Sequence, residues 1–355
     1  MILVDYSHQS MRMLYVAISQ AKPKKIDGKY NTDDFFKMYM HLMLNSLRAL
    51  DNKFGEKYGE IILCIDARSY WRKDIFDGYK SKRKSERDKT DVNFDTFYEK
   101  ANEFLEILDL YFPYKVLRVE KAEADDMFGV LSKHYGKSEP ILGVTSDKDM
   151  KQCIEYGAQI YDPIKLDFVK ITPQELKEWK IEHILCGDEG DGVPHIKRMT
   201  QFTDVFISYL KEQGIFIDDV KEFNKLDISK KLYNDFDIYK TNKNGDLLNE
   251  KDIFKNTPFG PAGAKKFAQN LVENLKSDSL YAKHFARNKE LVIFDCIPKE
   301  IYNSIVEEYK GLIMNYDPNE IMNFLMKNSM MELVKNITDF YILRDKPQNT
   351  MSEWL

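Results

Sequence analysis

The first 165 residues alternate short apolar runs with longer segments of helical periodicity, and this alternation limits the fold more than any other feature of the chain. The short runs are rich in β-branched and aromatic residues, which is typical of buried strands. They are MILV (1–4), IILCI (61–65), YKVLRV (114–119), PILGVT (140–145) and AQIY (158–161). The helical segments are Met11–Gln20, Thr32–Leu50, Asn93–Leu110, Ala122–His134 and Lys148–Glu155. Such an order predicts an α/β fold in which a parallel sheet is flanked by helices.

Acidic residues follow four of the predicted strands. Asp5 follows the first strand, Asp66 the second, and Asp147 and Asp149 the fourth, while the acidic stretch 120–126 follows the third. Binding sites in parallel α/β folds lie at the carboxyl ends of the strands, so neighbouring strands would bring these carboxylates together. Clustered like charges repel unless cations neutralise them. Ligand sets made only of oxygen suit Mg²⁺ or Mn²⁺ rather than zinc.

The stretch EKAEADDMFGVL (120–131) has two interpretations. Acids are favoured in the first turn of a helix, where they complement the positive end of its dipole, and Met127, Phe128, Val130 and Leu131 would then face a core. The same carboxylates also lie where a metal centre is expected. Both interpretations remain open on the residues alone.

A second acidic motif, CGDEGDGVP, spans residues 186–194. Asp188 and Asp191 are three residues apart, so a single turn would present both to one side. Gly187, Gly190 and Gly192 would let the backbone approach a ligand closely. The alternative is a polar turn without a ligand.

A basic segment with interleaved aromatic residues, YWRKDIFDGYKSKRKSERDK (70–89), lies between the second and third strands. Basic side chains neutralise phosphates and aromatic rings stack on unpaired bases, so this composition suits a path for single-stranded nucleic acid. The candidate phosphate contacts include Lys73, Lys82, Arg83, Lys84 and Arg87. A solvated basic helix is the competing interpretation.

Composition excludes some classes of protein and leaves others open. With 355 residues and 43% hydrophobic content, the chain predicts one large domain with an appendage, or two domains. The four cysteines are widely spaced, which indicates reduced thiols in a cytoplasmic protein. MILVDYSHQS has no signal-peptide apolar region, and no stretch approaches the length of a membrane span.

The net charge of −5 hides an uneven distribution. Without nine carboxylates proposed for a metal centre, the formal charge would be +4 rather than −5. Those nine are Asp5, Asp66, Glu123, Asp125, Asp126, Asp147, Asp149, Asp188 and Asp191. The negative charge is therefore concentrated where metal ions would cancel it.

The chain beyond residue 195 has a different character. Residues 199–256 are rich in Lys, Asp and Asn, and the stretch NDFDIYKTNKNGDLLNEKD within them is predicted to be a polar hairpin or an insertion. TPFGPAGAKKFAQNL (257–271) predicts a glycine-rich turn that opens onto a helix, where Gly260, Gly263, Lys265 and Lys266 would hold a phosphate. A plain helix cap is the alternative. Residues 288–327 are again predicted to be helical and packed.

These motifs together resemble the flap-endonuclease, or 5′-nuclease, family, and most closely its tailed-phage ribonuclease H branch. The similar segments run in family order over residues 1 to about 315. They are ILVDYSHQS, LCIDARSYWRKDIFDGYKSKR, EADD, TSDKDM, GDEGDGVP and KELVIFDCIPKEIYNSIVEEY. The resemblance implies a PIN-like nuclease core in residues 1–185, which includes a basic arch at 70–90. It also implies a mainly helical DNA-binding domain in 186–355 with a helix-hairpin-helix-type motif, here displaced to residue 260 by the insertion.

The resemblance also implies a role for each matching residue. Asp5, Asp66, Asp125 and Asp147 would hold a first metal ion, while Asp149, Asp188 and Asp191 would surround a second, with Glu123 bound directly or through water. Asp126 belongs to the candidate set, with a helix cap as its alternative. Arg72 and Lys80 match basic residues that reach the scissile phosphate, and Tyr79 lies next to them.

The implied function is a Mg²⁺-dependent 5′ to 3′ exonuclease and flap endonuclease, with Mn²⁺ as a substitute, that removes RNA primers during lagging-strand replication. Its substrates would be DNA with a 5′ flap or nick and RNA–DNA hybrids. We expect a monomer in the cytoplasm, or in the host cytoplasm if a phage encodes it. The tail RDKPQNTMSEWL is a candidate contact for a sliding clamp or a single-strand-binding protein, or else folds on its own domain.

Two other classes of function compete with this one. A catalytically silent DNA-junction binder would have no need of clustered carboxylates near phosphate. A metal-dependent phosphatase or a smaller single-strand ribonuclease would share the acidic sheet, but it would not need the arch-like basic segment.

Overall fold

The computed structural model describes residues 1–198, 257–258 and 280–341, and these residues form two compact units. Unit 1 comprises Met1–Asp74, Ser81–Thr172 and the described residues from Ile297 onward. Unit 2 comprises Ile75–Lys80 and the described part of Pro173–Cys296.

The described elements are strands, α-helices and short 3-10 helices. The strands of unit 1 are β1 (Ile2–Asp5), β2 (Lys25–Ile26), β3 (Lys29–Tyr30), β4 (Ile61–Ile65), β5 (Tyr114–Arg118), β6 (Leu142–Val144), β7 (Gln159–Asp162) and β8 (Asp167–Phe168). The described α-helices are α1 (Tyr6–Ala21), α2 (Thr32–Tyr58), α3 (Trp71–Ile75), α4 (Arg83–Asp88), α5 (Phe94–Tyr111), α6 (Ala124–Tyr135), α7 (Pro173–Cys186), α8 (Leu280–Val292), α9 (Lys299–Gly311), α10 (Pro318–Lys327) and α11 (Met331–Lys335). Short 3-10 helices span Lys148–Tyr156, Phe294–Cys296 and Ile337–Phe340.

The central sheet of unit 1 has the strand order β5-β4-β1-β6-β7-β8. All neighbours pair in parallel except β7 and β8. Every residue of β1 and β4 is buried, as expected for parallel strands that helices cover on both faces. The predicted mainly parallel α/β fold is therefore confirmed, and the two-residue edge strand β8 was not predicted because so short a run carries little pattern.

Polar residues just before the helices decide where those helices begin. Asp5 accepts a hydrogen bond from the backbone N of His8 at 2.9 Å and caps α1. Asn31 and Asn93 cap α2 and α5 in the same way. A cap satisfies a backbone N–H that has no partner within the helix. Helix α1 therefore begins directly after the strand, earlier than the predicted start at Met11.

The C-terminal helices pack on the sheet of unit 1. Helix α9 contacts α6 and β5, and α10 contacts α5. The rings of Phe324 in α10 and Phe104 in α5 stack with centroids 6.0 Å apart, and Leu325 is fully buried. This division of the described residues differs from the predicted boundary after residue 185, because the apolar faces of these helices are covered by unit 1.

In the described part of unit 2, helices α7 and α8 contact each other. The buried Asn288 of α8 donates hydrogen bonds to the carbonyl oxygens of Ile184 at 2.9 Å and Pro194 at 2.8 Å. Strand β9 (Lys197–Arg198) pairs antiparallel with β10 (Thr257–Pro258). The predicted insertion 199–256, most of the glycine-rich motif 257–271 and the tail 344–355 lie outside the described residues.

None of the described helices is both long and apolar enough to span a membrane. The predicted localisation and monomeric state stay predictions.

Candidate metal centre and nucleic-acid interface

Carboxylates meet at the carboxyl end of the sheet in unit 1. Asp5 lies beside Cys64 in the parallel register of β1 and β4, and Asp66 directly follows β4. Burial raises the pKa of the Cys64 thiol well above its usual range, and the charges of Asp5, Asp66 and Asp125 raise it further. These three carboxylates therefore lie near one another at the strand ends, where their mutual repulsion favours a bound cation.

Backbone N–H groups orient several of these side chains. Asp5 Oδ1 accepts from His8 N at 2.9 Å, and Asp66 Oδ1 accepts from Ala124 N at 2.8 Å. Asp147 Oδ1 accepts from Asp149 N at 2.8 Å at the start of the 3-10 helix. Carboxylates that are held in place before a cation binds lose little conformational freedom on binding. Their oxygen-only donor set fits Mg²⁺ or Mn²⁺, and the individual ligand roles stay predictions.

Asp162 is a carboxylate at this edge of the sheet that the sequence reasoning missed. It ends β7 and accepts hydrogen bonds from Ser146 Oγ at 2.7 Å and from the backbone N of Ile164 at 2.9 Å. Burial alone would raise the pKa of Asp162, but its hydrogen bonds from Ser146, Ile164 N and Lys165 lower it to about 2. Asp162 thus anchors the loop that carries Asp147. An acid at the end of an apolar run, as at Asp5, was the signal that could have found it.

Arg72 is buried between two acidic side chains at the start of α6. Its Nη1 lies 2.8 Å from Glu123 Oε2 and 3.1 Å from Asp126 Oδ2, and its Nη2 lies 2.8 Å from Asp126 Oδ1. Asp126 Oδ2 also accepts from Trp71 Nε1 at 3.0 Å and from Glu123 N at 2.9 Å. The exposed fractions of Arg72, Glu123 and Asp126 are 2%, 1% and 0%. Burial raises the pKa of Asp126, and the nearby Arg72 opposes that increase.

These contacts bear on two sequence-based predictions, and both stay predictions. Asp126 is predicted in the metal set, but both of its oxygens already accept hydrogen bonds, and the bond from Glu123 N matches the alternative role as a helix cap. Arg72 is predicted to reach a scissile phosphate, but its guanidinium is buried and paired with carboxylates. Arg72 is paired in this way because a buried charge is costly unless it is paired and hydrogen-bonded.

In unit 2, the predicted catalytic residues Tyr79 and Lys80 contact the GDEGDGVP loop. Tyr79 Oη donates to Asp191 Oδ2 at 3.0 Å, and Lys80 Nζ lies 3.7 Å from the same oxygen. The backbone N of Lys80 also donates to the carbonyl oxygen of Asp191 at 2.7 Å. The structure thus brings Tyr79 and Lys80 to a predicted metal ligand.

Close backbone contact explains a glycine of this loop. Gly192 has a φ of +73°, and a Cβ at this position would lie 2.6 Å from the carbonyl oxygen of Gly78. The loop glycines were predicted to let the backbone approach a ligand closely. At Gly192, the close contact is instead with the backbone of Gly78 in the same chain. Asp188 Oδ1 accepts from Asp191 N at 3.2 Å, so the two acids also form the polar turn that was the alternative interpretation.

The later part of the basic segment is exposed. Lys82, Arg83 and Lys84 are exposed, and α4 has no buried residue. Two residues after the segment, Asp91 contacts the β2–β3 hairpin of unit 1. Its Oδ2 lies 2.5 Å from Lys25 Nζ, and its backbone carbonyl oxygen accepts from the backbone N of Tyr30 at 2.7 Å. This exposed positive charge agrees with a nucleic-acid path and equally with a solvated basic helix.

Two other predicted phosphate contacts differ in their surroundings. Lys73 is exposed, with its Nζ 5.1 Å from the ring centroid of Tyr70. Arg87 is half-buried, and its Nη1 donates to Tyr98 Oη of α5 at 3.0 Å. Gly260, Gly263, Lys265 and Lys266 lie outside the described residues.

Comparison with known proteins decides the family. The family model described as "5′-3′ exonuclease, N-terminal resolvase-like domain" matches residues 1–180, which include the central sheet and its strand-end carboxylates. The chain belongs to the 5′-3′ exonuclease family. The sequence-based resemblance to 5′-nucleases is therefore confirmed, and this family member is a nuclease that hydrolyses phosphodiester bonds.

Two curated relatives agree with this membership. This 5′-3′ exonuclease family member is 27% identical over 308 residues to Ribonuclease H of Enterobacteria phage T4, which covers 85% of this chain and 87% of that protein. It is 28% identical over 174 residues to a 5′-3′ exonuclease of Buchnera aphidicola, which covers 46% of this chain and 57% of that protein.

Solved structures of a bacteriophage T5 enzyme are also similar to this chain. A T5 protein co-crystallized with metal ions has a TM-score of 0.49 at 12% identity and covers 86% of this chain and 97% of that chain. The bacteriophage T5 flap endonuclease in a pseudo-enzyme-product complex with DNA and metal ions has a TM-score of 0.49 at 13% identity, with 87% and 98% covered.

Proposed function

We propose that this family member is a Mg²⁺-dependent 5′ to 3′ exonuclease and flap endonuclease that removes RNA primers and adjacent DNA during lagging-strand replication. The observation that carries the proposal is the placement of Asp5 and Asp66 at the ends of the paired strands β1 and β4, where Asp66 accepts a hydrogen bond from the backbone N of Ala124, the residue before Asp125. The ribonuclease H name of the phage T4 relative supports RNA in a hybrid as one substrate.

The proposed metal ligands fall into two sets. Asp5, Asp66, Asp125 and Asp147 would hold one ion, and Asp149, Asp188, Asp191 and Glu123 would surround another. When bound, the two ions lower the pKa of a bound water and stabilise the leaving oxygen of an in-line displacement. The chain itself contributes carboxylates that the backbone N–H groups of His8 and Ala124 already orient.

Cationic residues of the basic segment would bind the substrate. Lys82, Arg83 and Lys84 are exposed and would neutralise phosphates of a 5′ single strand. The Nζ of Lys80, next to Asp191, would stabilise negative charge on the scissile phosphate. The displaced glycine-rich motif at Gly260 and Gly263 would hold a phosphate of the duplex. The products would carry a 5′-phosphate and a 3′-hydroxyl.

Cleavage mapping tests the proposed Mg²⁺ dependence and substrates. The purified protein is incubated with 5′-labelled flap, nicked and RNA-primer substrates, with Mg²⁺ and with EDTA, and its binding to the same substrates is measured by fluorescence anisotropy. We expect short 5′-labelled products with Mg²⁺ only. Normal binding of these substrates without any product would refute the proposal.

A partner contact through the C-terminal tail is a separate proposal. Trp354 and Leu355 end a polar segment and would dock on a sliding clamp or a single-strand-binding protein. Deletion of the last six residues of the tail should remove stimulation by the clamp and leave the basal cleavage rate unchanged. Stimulation that survives the deletion would show that the tail has no such partner.

A further inference from the structure

We infer that Arg72 is a positioning residue: it joins the segment that carries Asp66 to the helix start that carries Asp125, and it acts through Glu123 and Asp126. This inference rests on the proposed metal-dependent hydrolysis. It differs from the role in which Arg72 touches the scissile phosphate. A positioning residue affects metal binding as well as the chemical step, whereas a residue that touches only the phosphate does not affect metal binding.

The two segments lie side by side in unit 1 and are joined by backbone hydrogen bonds. Ala67 N donates to the carbonyl oxygen of Ala122 at 2.9 Å, and Trp71 N donates to the carbonyl oxygen of Lys121 at 3.0 Å. At one end of this contact, Asp66 Oδ1 accepts from the backbone N of Ala124, the residue before Asp125. A shift of one segment against the other would therefore move Asp66 relative to Asp125.

Arg72 fixes this contact through side chains. Its two terminal nitrogens bridge the carboxylates of Glu123 and Asp126 at 2.8 to 3.1 Å, and all three side chains are buried. Trp71 Nε1 also donates a hydrogen bond to Asp126 Oδ2, and the centroid of the Trp71 ring lies 4.5 Å from the guanidinium carbon of Arg72. The planar fork of arginine can bind two carboxylates at once, whereas the single ammonium of lysine cannot reproduce that geometry.

The charges explain why loss of this fork would reach the metal ligands. Without the guanidinium, Glu123 and Asp126 would lose their buried cationic partner at the first turn of α6, which is costly even where N–H groups still donate to them. The first turn would have to move so that the carboxylates reach water. Asp125 lies between these two acids in the sequence and would move with them.

Two substitutions distinguish positioning from contact with the phosphate. Arg72→Lys keeps the positive charge, so a residue that acts by charge on the phosphate would retain much of its effect. Asp126→Asn weakens one of the two Arg72 pairs and keeps the guanidinium itself, so a residue that acts by charge on the phosphate would again retain much of its effect. Only a positioning role predicts that both substitutions give the same defect and that the double variant is no worse than either single one.

The experiment measures Mn²⁺ binding by calorimetry and single-turnover cleavage of a 5′-labelled flap at several Mn²⁺ concentrations. We expect Arg72→Lys and Asp126→Asn each to weaken Mn²⁺ binding about 10- to 100-fold and to slow cleavage at limiting metal by a similar factor, as for other residues that hold metal ligands in place. Excess Mn²⁺ should restore part of the rate, and the KM for the flap should change little.

Two further variants control for loss of structure. Arg48→Lys alters another arginine–carboxylate pair of unit 1, with Asp339 at 3.4 Å, and should leave Mn²⁺ affinity unchanged. Trp71→Phe removes a single donor to Asp126, and we expect a loss of about 5-fold in Mn²⁺ affinity from a folded protein.

Wild-type Mn²⁺ affinity in both Arg72→Lys and Asp126→Asn would overturn the inference, as would additive losses in the double variant. If the wild-type protein cleaves none of the substrates, the proposed function fails, but calorimetry still decides whether Arg72 positions the metal ligands.

Discussion

Single residues at the strand ends have two structural tasks. Asp5 and Asp147 cap the helices that follow them, and Asp66 accepts a hydrogen bond from the start of α6. Each bond also restricts the orientation of a carboxylate at the strand ends. Helix capping and the proposed metal centre would therefore use the same side chains, so the two interpretations of the acidic stretch 120–131 do not exclude each other.

Asp125→Asn should abolish cleavage and preserve flap binding. The amide keeps the size of the side chain but removes one negative charge from the cluster around Cys64, which weakens the attraction for a divalent cation. Product release from a 5′-labelled flap and binding by fluorescence anisotropy measure the two effects. Asp95→Asn, which changes an acid in the first turn of α5, is the matched control and should keep full activity. Full activity in Asp125→Asn would contradict its role as a ligand.

Asp162→Asn should make the free energy of unfolding change less as the pH falls from about 4 to about 2. The pKa of Asp162 is about 2 in the folded protein and 3.8 in an ordinary carboxyl group, so the folded state binds the proton more weakly. The ionised side chain therefore stabilises the fold above about pH 4, and this stabilisation is lost as the pH falls toward 2. After allowance for solvent screening, we expect this stabilisation of the fold by ionised Asp162 to be about 1 kcal/mol.

Urea unfolding of Asp162→Asn and wild type across this pH range measures the effect. The difference in free energy of unfolding should be largest near neutral pH and should disappear at the acid end. A constant difference at every pH would show that the carboxylate charge is not the cause.

At the level of elements, the basic segment combines firm attachments with an exposed middle part. In unit 2, Gly78–Lys80 contact the GDEGDGVP loop, and in unit 1, Asp91 is tied to the hairpin of β2 and β3. Helix α4 has no buried residue, so its position depends on these attachments. An element built this way presents charge at a defined place without a core of its own.

Replacement of Lys82, Arg83 and Lys84 by Gln should weaken binding of a 5′ single strand and make it less sensitive to salt. Loss of three phosphate contacts should reduce the slope of log K against log salt by about 2. Fluorescence anisotropy titrations at several salt concentrations measure this slope. Lys299, Lys310 and Lys327 are exposed residues of α9 and α10, and their replacement by Gln removes the same charge away from the segment. Equal effects in the two triple variants would show that only net charge matters.

At the level of the whole molecule, the described residues divide by packing and not by chain order. Unit 1 includes α9, α10 and α11 from the end of the chain, and unit 2 includes Ile75–Lys80 from the basic segment. The core of unit 1 therefore depends on contacts between its beginning and its end. Tyr111 O, for example, accepts a hydrogen bond from Asp317 N at 3.0 Å.

Leu325→Ala should destabilise the protein by about 3 kcal/mol, because it leaves a cavity where α10 packs on unit 1. Leu325 is 0% exposed, whereas its neighbour Met326 is 58% exposed, so Met326→Ala is the matched control with an expected change within about 0.5 kcal/mol. Urea unfolding measures both. A small loss in Leu325→Ala would indicate that the C-terminal helices are a separate appendage.

The sequence predicted the sheet better than it predicted the ends of the elements. The run 61–65 matches β4 residue for residue, because an uninterrupted apolar run has few alternatives in a parallel sheet. The start of α1 was placed too late, because Asp5 serves as strand end, cap and site residue together. The edge strand β8 and the hairpin of β2 and β3 were missed, since two-residue strands carry no periodicity.

By itself, the sequence determined the parallel α/β fold, the acids at the strand ends and the family. The periodicity of each run and the order of runs and motifs along the chain can be read without knowing any contact between distant residues. Only the tertiary structure decided how the charged residues are paired. Arg72 meets Glu123 and Asp126 across more than 50 residues of chain, and Tyr79 meets Asp191 across more than 100. Nothing local selects such partners; burial does, because a charge removed from water has to be matched by whatever group the fold brings next to it.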